Sequence, residues 1–402
     1  MRRIDLKKAQ AARSSTIRDI NRQIVLNYVR EREPISRAEI AREAALQRST
    51  VSTIVEELKA EGLIEEIGVG QSTGGRRPTL LRLRAAGAVA IGVDITPSCT
   101  TIVTSDLGGR IFEREEFPNA SEEEEMERRI IERVGELVES NGRRKIAGIG
   151  VSLPGLVDHV TGKAIYIPWF KWRDWPLAEK LARATELEVM VDNDANAAAL
   201  AELWFGRPEV SEARDFIMVL VAEGIGTGIV FDGQIYRGER GAAGEFGHMI
   251  VGQSAPVACS CGNHDCWEAF SSERAAIAHY MRLSGREAES RPLEFGELID
   301  RALDGEQPAI QSLAQTAHYL GIGISNLIVG LSPAAVVVGG GIARAWPLVG
   351  EALGETIQRS IRRGLPSARI VASTLGDQPT LMGALSLVLA RKFGLAQTGD
   401  GG

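Results

Sequence analysis

The residue types best suited to chemistry lie in Gly244-Glu-Phe-Gly-His248 and, one short loop later, Cys259-Ser-Cys261-Gly-Asn-His-Asp-Cys266-Trp-Glu268. Three of the four cysteines in the chain fall within eight residues. One imidazole and three thiolates make a closed tetrahedral set for a structural zinc ion, so His248, Cys259, Cys261 and Cys266 are the candidate ligands. Cys-x-Cys-x4-Cys is not a zinc-finger spacing, and the plainer alternative is three thiols with no metal. His264 competes with His248 for the fourth place. A disulfide fits less well, because four cysteines in 402 residues without a signal peptide read as a reducing, cytoplasmic setting. Glu245 and Glu268 flank the ligands. A metal clamping the loop would hold both carboxylates and the free edge of the His248 ring together, as the wall of a polar pocket.

The rest of the chain must position that loop. At 402 residues, with 44% hydrophobic and 25% charged residues, two or three domains fit. No run of about 18 apolar residues occurs, so no transmembrane helix and no membrane partner are expected. The net charge of −7 hides an asymmetry. Residues 1–86 hold 17 Lys+Arg and 11 Asp+Glu, whereas the remainder holds 29 and 42. A basic head on an acidic body reads as a nucleic-acid-binding module fused to something else.

Residues 1–14 are basic and aperiodic and read as a mobile arm. Ile17, Ile20, Ile24, Val25 and Tyr28 recur at helical spacing until Pro34. Ser36-Arg-Ala-Glu39 has the pattern of a capping box opening a short helix to about Ala44. Val51, Ile54, Val55 and Leu58 form the apolar face of a third helix, ended by Gly62. This is a helix-turn-helix. Gln47, Arg48, Ser49, Thr50 and Thr53, at the exposed start of its third helix, are donors that can reach base edges in a major groove of double-stranded DNA. Residues 63–67 and 79–84 read as two strands around a glycine-rich basic loop, a wing. Arg76 and Arg77 in that loop suit the negative potential of a minor groove. A protein-binding winged helix is the alternative for this head.

The body begins with three strands near 88–94, 99–104 and 110–117, with Asp106-Leu-Gly-Gly109 as a turn. Ser121 is the expected cap of a helix starting in Glu122–Glu125. Strands follow at 146–155 and 189–194, then a helix at 195–205. Asp194 alone could be the cap of that helix. Phe216–Val221, a glycine turn at 223–228 and Ile229–Phe231 repeat the strand–turn–strand unit of residues 88–104, which suggests two related lobes. Leu313, Ala317, Leu320, Ile324 and Leu327 mark a buried helix. Residues 334–341 read as a buried strand with a glycine turn. Met382–Phe393 reads as a terminal helix before a disordered glycine-rich tail.

Five motifs, in order, resemble the ROK (repressor, open reading frame, kinase) family. They are Asp192-Asn-Asp-Ala-Asn196, Gly224-x-Gly-Thr-Gly228, Gly244-Glu-x-Gly-His248, Cys259-x-Cys-Gly-x3-Cys266-x-Glu268 and Val336-Val-Val-Gly-Gly-Gly341. The resemblance covers essentially the whole chain. With the head it is closest to the regulators of the family, of xylose, N-acetylglucosamine and glucose repressor type. It implies an N-terminal winged helix-turn-helix (1–86) followed by an α/β two-lobed, actin-like (ribonuclease-H-like) sugar kinase fold. The expected divisions are a first lobe at 87–200, a second lobe with zinc loop and sugar site at 201–378, and a C-terminal helix and tail at 379–402. The resemblance also implies zinc ligands at His248, Cys259, Cys261 and Cys266, and sugar contacts at Asn193, Asp194, Glu245, His248 and Glu268. In family kinases the residue at Asp194 is the base that takes the sugar hydroxyl proton.

Those kinases carry Asp-x-Gly-Gly-Thr in the first strand turn, against the ATP phosphates. Here the turn is Asp94-Ile-Thr-Pro-Ser-Cys-Thr100. Both glycines are gone and Pro97 has no amide to donate. The expected function is therefore a sugar-responsive transcriptional repressor of carbohydrate-metabolism genes, without catalysis. It would be a homodimer or homotetramer on a near-palindromic operator, with lobe closure changing the spacing of the heads. The alternative is a bifunctional ATP-dependent sugar kinase with Asp194 as base. Sequence leaves open the identity of the sugar and the sensing of a phosphotransfer protein instead. Trp169-Phe-Lys-Trp-Arg-Asp-Trp175 either lines the cleft mouth or is packed on the lobe.

Overall fold

The computed structural model describes residues 14–70, 77–142, 145–285, 292–361, 364 and 366–393. The basic arm before residue 14, Arg76 in the wing and the glycine-rich tail after Phe393 lie outside the described residues.

The head is α1 (Ser14–Arg32), β1 (Ile35–Ser36), α2 (Arg37–Glu43), α3 (Arg48–Ala60), β2 (Ile64–Val69) and β3 (Thr79–Leu83), with strand order β1-β3-β2. The capping box is present. The Glu39 amide donates to Ser36 Oγ at 3.3 Å, and the Ser36 amide donates to Glu39 Oε2 at 2.9 Å. Val51, Ile54, Val55 and Leu58 of α3 are buried as their spacing predicts. Of the predicted stripe of α1, Val25 is buried, joined by Leu26 and Val29, whereas Ile20, Ile24 and Tyr28 are half-buried and Ile17 is 50% exposed. The first turns of α1 meet α3 through ion pairs, Arg18 with Glu57 and Arg22 with Glu61.

The body starts with β4 (Val89–Ile95), β5 (Cys99–Asp106), β6 (Ile111–Pro118), α4 (Glu123–Ser140), β7 (Ile146–Leu153), β8 (Leu156–Asp158), β9 (Lys163–Ile167), β10 (Trp172–Trp175), α5 (Leu177–Thr185), β11 (Val189–Asn193) and α6 (Asp194–Phe205). Its sheet runs β11-β7-β4-β5-β6, with a β4–β5–β6 antiparallel meander and β7 and β11 added in parallel. The Asp106 turn is fixed by its own carboxylate, which accepts from the Gly108 and Arg110 amides at 2.9 Å. Glu122, not Ser121, is the N-cap residue of α4, and it makes no side-chain cap bond. Three glutamates in the first turn favour the helix start through the dipole, without a cap.

After α7 (Pro208–Ser211), the second lobe holds β12 (Phe216–Val221), β13 (Ile225–Phe231) and β14 (Gln234–Ile235). Then follow α8 (Trp267–Ser271), α9 (Glu273–Ser284), α10 (Phe295–Leu303), α11 (Gln307–Leu331), β15 (Ala335–Gly340), α12 (Trp346–Ser360) and β16 (Arg369–Ala372). Its sheet order is β14-β13-β12-β15-β16. Again three antiparallel strands come first and two parallel strands are added on the far side of the first strand. The repeat seen in sequence is thus a repeat of topology. The apolar stripe of α11 packs under this sheet with Trp267 and Tyr280.

The final helix α13 (Pro379–Phe393) leaves the second lobe and packs on α6, β7 and β4 of the first. Glycines allow the close approach. A β-carbon at Gly150 would lie 1.9 Å from the Ala384 carbonyl oxygen. The C-terminal end of α13 enters the core of the head, where Phe393, Leu389 and Leu385 cluster with Val25, Leu26 and Val29. Asn27 Nδ2 donates to the Phe393 carbonyl at 2.6 Å. Asn27→Ala is expected to weaken this junction by about 1 kcal/mol. A melting curve of the full chain would show the head transition moving to lower temperature, and an unmoved transition would count against this bond as a head–body tie.

Candidate functional site

The start of β13 is the spine of the site. Glycines at 224, 226 and 228 leave no side chains on one face, so functional groups press against the backbone. A β-carbon at Gly226 would lie 3.7 Å from Asp194 Oδ1, and one at Gly224 would lie 2.9 Å from Glu268 Oε2. Gly244 and Gly247 abut the carbonyls of Thr227 and Ile225, which brings the segment Glu245–His248 to the same place. Four of the sequence-nominated residues, Asp194 of α6, Glu245 and His248 of one short segment, and Glu268 of α8, therefore converge from three elements. His248 Nε2 faces Glu245 Oε2 at 3.5 Å, and its Nδ1 lies 3.3 Å from Cys259 Sγ.

That second nitrogen belongs to the cluster His248, Cys259, Cys261 and Cys266, whose ligand atoms all lie within 4.8 Å of one another. Cys259 and Cys261 Sγ are 3.2 Å apart, and Cys261 and Cys266 Sγ 3.9 Å. The edge of a tetrahedron with bonds of about 2.3 Å is about 3.8 Å, so the donor set fits a metal such as zinc. Burial pushes the Cys259 and Cys266 thiols up, so thiolates at these positions call for a cation. His264 is exposed and stands outside the cluster, which resolves the competition in favour of His248.

Glu268 is 3% exposed. Its Oε1 accepts from Cys259 Sγ at 3.1 Å and from the Ser260 amide and hydroxyl at 2.9 and 2.8 Å. One oxygen thus orients the cysteine loop, and the other remains beside Gly224. This is the arrangement by which an outer carboxylate fixes ligand geometry.

The cap of α6 is Asn193 and not Asp194. Asn193 Oδ1 accepts from the Ala195 and Asn196 amides at 2.9 and 3.2 Å, and its Nδ2 donates to the Gly155 carbonyl at 3.0 Å. Asp194 is the first helical residue and accepts from the Ala195 amide at 2.7 Å. Burial pushes Asp194 up to about 7, opposed by the Ala195 amide and reinforced by the carboxylates of Asp94 and Glu245. Asp94, buried at the end of β4, is pushed up to about 6 by burial, and the Thr380 hydroxyl donates to it at 2.7 Å. Thr380 is in the first turn of α13, so this helix touches the site at one end and the head at the other.

Other contributions were not legible in sequence. Arg237 makes a forked contact with buried Asp192 Oδ2, at 2.9 Å from Nε and 2.7 Å from Nη2, tying the second lobe to β11 of the first. The aromatic run divides. Trp172 and Trp175 belong to the first lobe's core. Trp169 reaches across the cleft, with the Arg274 guanidinium 4.8 Å from its ring centre.

In the head, Gln47, Arg48, Ser49 and Thr53 are exposed at the start of α3, Thr50 is half-buried, and Thr53 Oγ1 donates back to the Ser49 carbonyl. Arg77 is exposed beside the wing. No described helix is long and apolar enough to cross a membrane.

Comparison with known proteins agrees with this geometry. The ROK family profile matches residues 90–391, and the MarR family profile matches residues 24–77. A xylose repressor of Caldicellulosiruptor bescii is 32% identical over 389 residues, covering 93% of this chain and 96% of the relative. The DNA-binding transcriptional dual regulator NagC of Escherichia coli is 29% identical over 392 residues, covering 95% of each. Among solved structures, a ROK family transcriptional regulator described as a homologue of the E. coli MLC protein superposes with a TM-score of 0.81 at 26% identity. It covers 94% of this chain and 98% of its own. A ROK family glucokinase from Streptomyces griseus, solved with glucose and AMPPNP, gives 0.66 at 28% identity over 75% of this chain and 99% of its own. The two-lobed body is therefore the actin-like kinase fold, preceded by a winged helix of MarR type.

Proposed function

The chain belongs to the ROK family, and on that footing we propose that it is a sugar-responsive, DNA-binding repressor of carbohydrate-metabolism genes and not a kinase. The observation that carries this reading is the convergence of Asp194, Glu245, His248 and Glu268 on β13, in a chain whose head shares its core with α13. Carboxylates beside one another suit the adjacent hydroxyls of a sugar, each of which is both donor and acceptor. His248 Nε2 and the remaining Asn193 amide hydrogen supply the complementary donors. Zinc, held by His248, Cys259, Cys261 and Cys266, would fix the imidazole tautomer so that Nε2 carries the proton. The relatives named as xylose and N-acetylglucosamine repressors support the same assignment.

The signal has a physical route. α6 begins with Asp194 in the cleft and ends near Trp204, whose ring lies 3.8 Å under the Arg30 guanidinium of α1. α13 runs beside it from Thr380 to Phe393. Sugar that binds one arrangement of the lobes better than the other shifts the head through these two helices by that difference in affinity. A homodimer or homotetramer would present paired heads to an operator, with Gln47, Arg48, Ser49, Thr50 and Thr53 in the major groove and Arg76 and Arg77 at the minor groove.

Fluorescence anisotropy of labelled DNA from upstream of the protein's own gene, with a panel of pentoses, hexoses and N-acetyl sugars, tests the reading. Sequence-dependent binding that one sugar shifts supports it. ATP-dependent sugar phosphorylation without DNA binding would replace it by the kinase. Arg77→Ala is expected to weaken binding about threefold to tenfold on all sequences and to lower the slope of log K against log salt by about 0.9. An unaltered slope would remove Arg77 from the phosphate contacts.

A further inference from the structure

We infer that Arg274 and Trp169 form a latch between the two lobes, and that Arg274 is the residue that passes the lobe arrangement to the metal loop. The inference rests on the sugar-regulator reading above and adds to it a positioning element outside the sugar contacts.

Trp169 sits in the turn between β9 and β10. The turn is tight, with Lys171 at a φ of 60° and its amide donating to the Ile167 carbonyl at 2.9 Å. Phe170 anchors it, since its ring centre lies 4.6 Å from that of Trp172, which in turn meets the fully buried Trp175 at 5.4 Å. The base of the turn packs on Gly155, where a β-carbon would lie 2.4 Å from the Tyr166 carbonyl oxygen and 3.1 Å from Pro168 Cδ. The Gly155 carbonyl is also the one that accepts from Asn193 Nδ2. The turn is thus fixed to the first lobe and to the cap of α6, while Trp169 itself is only half-buried.

Arg274 belongs to the second lobe. It is the second residue of α9, where a cation faces the positive end of the helix dipole, so the helix gains nothing from it. Its contacts supply the reason for its place. Nε donates to the Glu223 carbonyl at 2.9 Å. Nη2 donates to the Ala258 carbonyl at 3.3 Å and stands 3.9 Å from Glu268 Oε1, and the guanidinium carbon lies 4.8 Å from the centre of the Trp169 ring. One side chain therefore meets the turn before β13, the metal loop, α8 and the other lobe. A planar guanidinium can donate in its plane and present its face to a ring at once, which an ammonium cannot.

The Arg237–Asp192 tie between the lobes is a close ion pair whose side chains are 15% and 3% exposed, and its rupture would strand a buried charge. The Arg274–Trp169 contact carries no such penalty, because the ring is uncharged and the guanidinium is 33% exposed. It is the tie that a change in lobe angle can break and remake. When Trp169 moves away, Arg274 is left facing Glu268, the carboxylate that accepts from Ser260 of the metal loop. A sugar that prefers one lobe angle is thereby felt at the loop that orients His248.

The experiment uses the full-length, zinc-loaded protein and anisotropy of labelled DNA from upstream of its own gene, with xylose, glucose or N-acetylglucosamine as the probe. The quantity read is the ratio of DNA affinities with and without sugar, which for coupled sites is typically about 5–150-fold. Arg274→Met and Trp169→Leu should each cut the wild-type ratio at least about threefold, with zinc retained and DNA affinity without sugar within about twofold of wild type. Trp169→Phe, which keeps a ring face, should hold the ratio within about twofold. The double variant Trp169→Leu/Arg274→Met should lose no more than Arg274→Met alone, because both changes break one contact. Losses that multiply in the double variant, or a Trp169→Leu variant with an unchanged ratio, overturn the latch. An Arg274→Met variant that loses its zinc makes the residue a prop of the loop and overturns the inference likewise. A wild type that none of the three sugars shifts overturns the sugar-regulator reading itself, and the inference with it.

Discussion

Cys261→Ser is expected to strip the metal from the loop and with it most of the sugar response. The site holds four donors, and Cys261 is the one exposed among the three cysteines, so its replacement removes a ligand without opening the core. The loss should exceed the ~10–100-fold in metal affinity that usually follows removal of an outer hydrogen-bond partner of a ligand. The structural consequence is large because little else holds residues 249–266. They contain no helix or strand beyond an isolated bridge between Ile250 and Cys266. Their own apolar cluster is small, Cys259, Cys266 and Ala269 with Ala255 and Val257 beside it, and only the start of the segment, Met249 and Val251, reaches the second lobe's core among the described residues. Ordering such a segment costs about 1–2 kcal/mol per residue in backbone entropy, whereas structural zinc binding in small peptides supplies about 10–16 kcal/mol. Once the loop loosens, His248 loses its orientation and Glu268 loses the amide and hydroxyl donors of Ser260. Metal analysis should find one zinc per wild-type chain and a sharp loss in the variant, with sugar affinity at least tenfold weaker and DNA binding without sugar preserved. A variant that keeps its zinc and its sugar affinity would sink the structural-metal assignment.

Sequence carried the parts of this architecture that are written in local periodicity. β12 was legible residue for residue, because an unbroken apolar run that starts after Asp215 and closes before Glu223-Gly224 admits few other readings. The apolar stripe of α11 and the capping box at Ser36 were legible for the same reason. The doubled strand–turn–strand unit foretold two lobes of like topology. Neighbouring candidates with the same chemistry were harder. Asn193 and Asp194 are both strong cap formers, and only the backbone geometry shows that Asn193 caps, which leaves the Asp194 carboxyl beside Gly226. Pairs distant in sequence were not legible at all. Thr380 and Asp94 are 286 positions apart, and Arg237 and Asp192 are 45 apart. Nothing in local composition marks such residues as partners. The docking of α13 into the head was hidden likewise, since a terminal apolar helix can bury its face on any neighbour.

Asp194→Asn should separate stability from function. The side chain keeps its shape and its acceptor for the Ala195 amide, but it can no longer accept two hydroxyl hydrogens as a carboxylate. Hydrogen bonds to a charged acceptor are worth about 1.5–3 kcal/mol each, so a loss of about 3 kcal/mol, or roughly a hundredfold in sugar affinity, is expected. Wild-type affinity should also rise with pH through about 7, as the carboxyl ionises, and the variant should lose that dependence. Stability runs the other way. Because folding raises this carboxyl from its ordinary value of 3.8 to about 7, its contribution is fully present below pH 3.8 and is lost as pH rises through 7. Above that pH the sugar-free wild type carries an ionised Asp194 among other carboxylates, with no ligand hydrogen to accept. The amide variant does not, so its Tm should exceed that of wild type at pH 8 by about 2–4 °C for each kcal/mol recovered. The two should converge towards pH 4. Melting curves across that range, paired with sugar titrations at pH 6 and 8, measure both halves. An equal Tm at pH 8 together with undiminished sugar affinity would remove Asp194 from the binding machinery, whereas a more stable variant deaf to sugar identifies a carboxylate retained at a cost to the fold because the ligand needs it.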